Sequence, residues 1–122
     1  MSLQRICEGD TWSLCEDGKP VLTVQETLKD GTVQMRLAGA LRSDTEHYMK
    51  DELGALAAVG MNIVVDCQDL EYISYSCLLA FLSVQREMID QWKKGTLTLC
   101  KVPEAIYTEM KKTFLHELLV IE

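Results

Sequence analysis

The chain has 122 residues, 48% apolar and 25% charged, and its 19 acidic and 12 basic side chains give a net charge of −7. That length suits one domain with a self-sufficient core, and no apolar run approaches the ~20 residues that span a bilayer. Lys93-Lys94 and Lys111-Lys112 are the only basic clusters, which argues against a nucleic-acid surface and against adhesion to an anionic membrane.

Arg5 is not followed by the apolar segment of a secretory signal, so a cytoplasmic location is expected. The cysteines are Cys7, Cys15, Cys67, Cys77 and Cys100. Their number is odd, no pair has zinc-knuckle spacing, and no histidine is adjacent. Cys67, Cys77 and Cys100 lie in or beside apolar runs and read as buried thiols of a reducing compartment. No metal and no cofactor is expected.

In residues 1–19, Trp12, Leu14 and Cys15 around Ser13 suggest a short strand between turn-forming stretches. This segment reads as an N-terminal arm or an extra strand, and residues 20–122 as the domain. Residues 21–28 and 32–39 alternate apolar and polar side chains and are joined through Asp30-Gly31, the signature of a β-hairpin. Ser43 and Glu46 have capping-box spacing ahead of a helix running to about Val59, with Met49, Leu53, Leu56 and Ala57 as its core stripe and Gly60 as its stop.

The stretch from Asn62 to Leu82 is the most informative. Ile63-Val64-Val65 is a continuous β-branched run, as in a strand covered on both faces. A polar loop of residues 69–77 leads to a helix of about residues 76–94, with Leu78, Phe81, Leu82, Met88, Ile89 and Trp92 on one stripe. Residues 96–100 read as the next strand. Pro103 and Glu104 open a helix bearing Ile106, Met110 and Phe114, and residues 118–121 close the chain as a short strand. The predicted order is β-β-α-β-α-β-α-β: an α/β domain with a leading hairpin, a mixed, mostly parallel sheet and helices mainly on one face.

In this order and register the chain resembles the STAS domain, the SpoIIAA-like fold of bacterial anti-sigma factor antagonists. The landmarks are a hairpin ending in Leu37-Ala38-Gly39-Ala40-Leu41, a strand ending in Val65-Asp66, and Leu70-Glu71-Tyr72-Ile73 before a helix N-terminus. Gly95-Thr96-Leu97-Thr98-Leu99 and the Pro103 helix follow. The family's Asp-Ser-Ser-Gly motif, whose first serine the cognate anti-sigma kinase phosphorylates, aligns with Ser74-Tyr75-Ser76-Cys77. Tyr75 therefore occupies the phosphoacceptor position, and Ser74 and Ser76 are the remaining candidate acceptors. A phosphate there would sit near free backbone N–H groups and add nearly two negative charges. Alternatively, Ser74 or Ser76 only caps the helix.

The resemblance implies a non-enzymatic regulatory module. Its partner would be an anti-sigma factor or a related switch kinase in bacterial transcription control, and a homodimer is possible. The partner-binding residues would be Asp69, Tyr72, Ser74, Tyr75, Ser76 and Cys77, with Tyr75 as an exposed aromatic or an interface anchor. An alternative is a constitutive scaffold subunit of a signalling or transport complex, without a phosphorylation cycle. A remote alternative is a small cysteine-dependent enzyme, using Cys67 or Cys77 with His47 or His116. The Asp66–Asp69 pair at the strand end could close the loop or hold a metal.

Overall fold

The Asp30-Gly31 pair sets the first bend of the sheet. Both residues take left-handed conformations, with φ of 51° and 76°, as a two-residue hairpin of type I′ requires. In a computed structural model, which describes residues 2–122, the flanking strands are β3 (Lys19–Lys29) and β4 (Thr32–Leu41). They belong to one six-stranded sheet in sequence order with β1 (Gln4–Glu8), β2 (Thr11–Glu16), β5 (Asn62–Ile73) and β6 (Leu97–Cys100). Pairing is antiparallel from β1 to β4 and parallel from β4 through β5 to β6. The α/β fold with a leading hairpin and parallel crossovers is thus the one adopted. The balance of pairings is nevertheless antiparallel rather than mostly parallel, because residues 4–16 form a hairpin on the sheet edge.

The period-2 pattern decides which face is covered. Val33, Met35 and Leu37 of β4 are buried, while Gln34 and Arg36 are exposed. The helices α1 (Glu46–Ala58) and α2 (Tyr75–Glu87) lie over the apolar face and pack on each other. Met49 and Leu53 of α1 and Phe81, Val84 and Met88 of the second helical segment share a core with Leu22, Val24, Ile63 and Val65. The opposite face stays polar, with the Ser13 and Thr23 hydroxyls 3.2 Å apart across β2 and β3. For that reason Val64 is only half-buried, and the expectation of a strand covered on both faces fails for it.

Other local expectations are corrected. The Ser43–Glu46 capping box does not form. Ser43 lies in a 3₁₀ turn (Ser43–Thr45) with no side-chain cap, and α1 begins at Glu46. The supposed polar loop is mostly strand, since β5 runs to Ile73; register shifts against β4 carry it past Asp66. After Glu87 the second helix widens into a π segment (Met88–Trp92). Widening rotates the stripe, so Ile89 and Trp92 are 62% and 40% exposed. The next helix, α3 (Glu104–Lys112), has Pro103 just before its first residue. Phe114 leaves the stripe because the chain reverses there at φ 60°. A short α4 (Leu115–Leu118) follows, and the expected final strand shrinks to a single bridge between Leu99 and Ile121. Gln85, which the apolar pattern gave no reason to bury, anchors this end. Its side chain donates to the Leu118 carbonyl at 2.8 Å and accepts from the Val120 N–H at 3.3 Å.

Candidate functional site

Parallel pairing of β4 with β5 brings the chain entering α1 beside the chain entering α2. The two are tied through the backbone: the Ser74 N–H donates to the Leu41 carbonyl at 2.8 Å. Ser74 has extended geometry (φ −77°, ψ 157°) and is the N-cap of α2. Its hydroxyl accepts the Cys77 N–H at 3.2 Å and lies 3.0 Å from the Ser76 hydroxyl. One of the free donors of the first helical turn is thereby satisfied by a serine that is 8% exposed.

Cys77 faces inward. Its thiol donates to the Arg42 carbonyl at 3.3 Å and lies 3.8 Å from the Thr45 hydroxyl. Thr45 is fully buried and donates to the same carbonyl at 2.8 Å. Burial raises the Cys77 thiol, hydrogen bonds with Ser74 and Thr45 oppose that rise, and the Glu46 and Asp44 charges add to it. The Arg42 side chain points outward, bonding Asp44 at 2.6 and 3.0 Å and Glu16 at 3.0 Å. Its hydrogen bonds hold the Asp44 carboxyl below the ordinary range. Arg42 and Thr45 were not singled out from sequence. The Arg42-x-Asp44 spacing is a usable signal for the ion pair, but nothing local reveals the buried hydroxyl.

Around this inward-facing knot the surface is aromatic. Tyr72 at the end of β5 and Tyr75 at the start of α2 are 53% and 55% exposed. They line a groove of about 360 Å³ between the β5–α2 junction and α3, floored by Ile73, Leu78 and Ile106 and bordered by Glu71 and Glu109. The α3 contribution lies about 30 residues beyond the motif and had no sequence signal.

The expected site residues therefore separate into three places. Tyr72 and Tyr75 face the groove, and Ser74, Ser76 and Cys77 form the helix start. Asp69 lies elsewhere, 3.4 Å from Arg36. Asp66 and Asp69 are both inside β5 rather than at a strand end. Asp66, 3% exposed, accepts the Gln68 N–H at 3.0 Å and lies 3.7 Å from Lys101 and 3.9 Å from Arg36. Among the described residues no group of three or more His, Cys, Asp or Glu side chains converges as a metal site. The His47 ring lies tilted against Tyr48, with centroids 4.0 Å apart, and the His116 ring tilted against Tyr107 at 5.8 Å. Burial, reinforced by Cys100 and Asp66, pushes the Cys67 thiol up to about 12. Among the described residues no helix is long and apolar enough to cross a membrane.

A family model described as "Mlab, STAS domain" matches residues 24–120. Three solved structures share the architecture. An anti-sigma factor antagonist from Mycobacterium paratuberculosis is 16% identical, with a TM-score of 0.70 over 82% of this chain and 84% of that one. A putative anti-sigma factor antagonist from Thermotoga maritima is 18% identical, with a TM-score of 0.71 over 80% and 84%. The anti-sigma factor antagonist SpoIIAA in its unphosphorylated form is 17% identical, with a TM-score of 0.67 over 81% and 87%. At such identities the likeness is one of fold. A comparison with curated proteins finds no match.

Proposed function

The chain belongs to the STAS domain family, and we propose that it is a non-enzymatic regulatory module that docks a protein partner through the surface around Tyr72 and Tyr75. The reading places it in a bacterial cytoplasm. The partner it fits is an anti-sigma factor, which the structurally similar antagonists carry in their names, or a related switch kinase. What carries the reading is the division of labour at the start of α2. Two half-exposed tyrosines sit on one rim, and tyrosine is favoured at interface hot spots because it buries a large rigid surface and keeps a polar tip. The serine beside them is turned inward.

That division also favours docking without a phosphorylation cycle. Ser74 is 8% exposed and its oxygen is engaged by the Cys77 N–H; a kinase would have to break the cap to reach it. Tyr75 stands where the usual acceptor serine would be. The test is incubation with a serine-kinase anti-sigma factor of the same genome and MgATP, followed by intact-mass measurement. The mass should stay unchanged. Stoichiometric addition of one phosphate to Ser74 or Ser76 would instead establish a working switch.

A second reading is a constitutive subunit of a larger signalling or transport assembly. The match to the "Mlab, STAS domain" model and the tyrosine at the acceptor position favour it. The same surface would serve both roles; the identity of the protein held there separates them.

A further inference from the structure

The groove beside the two tyrosines has a chemistry of its own. Its floor is apolar, from Ile73, Leu78 and Ile106, and its only charged lining residues are Glu71 and Glu109. Glu71 has no ion-pair partner among the described residues, while Glu109 holds Lys112 at 3.0 Å in a pair whose side chains are 63% and 66% exposed. A pair so exposed contributes little and exchanges readily for another cation. The tyrosine ring faces add a second attraction for positive charge. The protein as a whole is acidic, with a net charge of −7, which steers basic segments toward it.

We propose that this groove receives one apolar side chain of a partner segment that carries an arginine or lysine beside it. The apolar group fills the space over Leu78 and Ile106; the cation lies between Glu71 and Glu109, against Tyr72 or Tyr75. The proposal rests on the docking reading and names the partner chemistry at that surface.

The test uses two small probes with the same phenylalkyl body and opposite charge, 4-phenylbutylamine and 4-phenylbutyrate, titrated into isotope-labelled protein and followed by amide chemical shifts. The amine should shift the amides of Tyr72, Tyr75, Ile106 and Glu109 and bind about tenfold more tightly than the carboxylate. Glu71→Gln with Glu109→Gln should bring the two affinities within about twofold while leaving the shifted residues the same. Equal affinities in the wild-type protein, a preference for the carboxylate, shifts centred elsewhere, or no shift with either probe would each overturn the proposal. If Tyr75→Ala abolishes partner docking while the probes show no charge preference, the docking surface stands and only the groove chemistry fails.

Discussion

The Ser74 hydroxyl accepts the backbone N–H of Cys77 at 3.2 Å, and this one bond fixes where α2 begins and turns Ser74 away from solvent. Ser74→Ala should lower unfolding stability by about 1 kcal/mol, the usual worth of an N-cap. Ser76→Ala, which removes only the neighbouring hydroxyl, should cost less than half of that. Urea denaturation of both variants checks the order. A larger loss in Ser76→Ala would mean that the cap is misassigned.

Glu26 supplies a pH dependence remote from the docking surface. Its carboxylate accepts the Trp12 indole N–H at 2.8 Å. Burial raises its pKa from the ordinary 4.5 to about 7, and a shared hydrogen bond with Glu52 adds to the rise, whereas the Trp12 bond and the Arg5 charge lower it. A carboxyl that binds its proton more tightly when folded favours folding while protonated. Stability should therefore fall as pH rises from about 4.5 to about 7. Because the group is partly exposed, the loss should be limited to about 1–2 kcal/mol. Urea midpoints at pH 5 and pH 8 should differ for the wild type, and Glu26→Gln should flatten the difference. A steeper fall in the variant would contradict the assignment.

Gly39 has φ of 105°, and a Cβ there would collide with the Val21 carbonyl oxygen. Gly39→Ala combines a left-handed backbone with a backbone clash, so it should destabilise the domain by about 3 kcal/mol or more. Thermal unfolding followed by circular dichroism would show this as a large drop in Tm. An unchanged Tm would mean that β3 and β4 part more easily than their register implies.

Cysteine reactivity addresses the enzymatic alternative. Cys7 is exposed, whereas Cys67 and Cys77 are buried with their thiols pushed up by burial. A raised thiol holds little of the nucleophilic thiolate. Alkylation of the native protein at pH 8, read by peptide mass mapping, should label Cys7 first and Cys67 last. Rapid labelling of Cys67 or Cys77 would revive the idea of a cysteine nucleophile.

What was legible in the sequence had local causes. Asp30-Gly31 announces its hairpin, the alternation of Val33, Met35 and Leu37 announces a half-covered strand, and Met49, Leu53 and Ala57 announce the inner face of α1. What was illegible depends on distant partners. Thr45 is buried because Arg42 and Cys77 close over it. Asp66 reads as a strand-end acid but lies inside β5 because register shifts against β4 extend the strand to Ile73. Ile89 and Trp92 fit an ideal helical stripe, yet a π turn rotates them outward. The tyrosine rim was legible from Tyr72 and Tyr75, whereas its far wall on α3 arises only from tertiary packing.

The most direct test of docking at this rim is site-specific photo-crosslinking in the native host, with Tyr75→benzoylphenylalanine as the probe and Thr98→benzoylphenylalanine on the opposite sheet face as the control. Docking at the tyrosine rim predicts one dominant crosslinked protein from position 75 and none in common from position 98. A crosslink of the same protein from position 98 alone, or no crosslink from position 75, would contradict it.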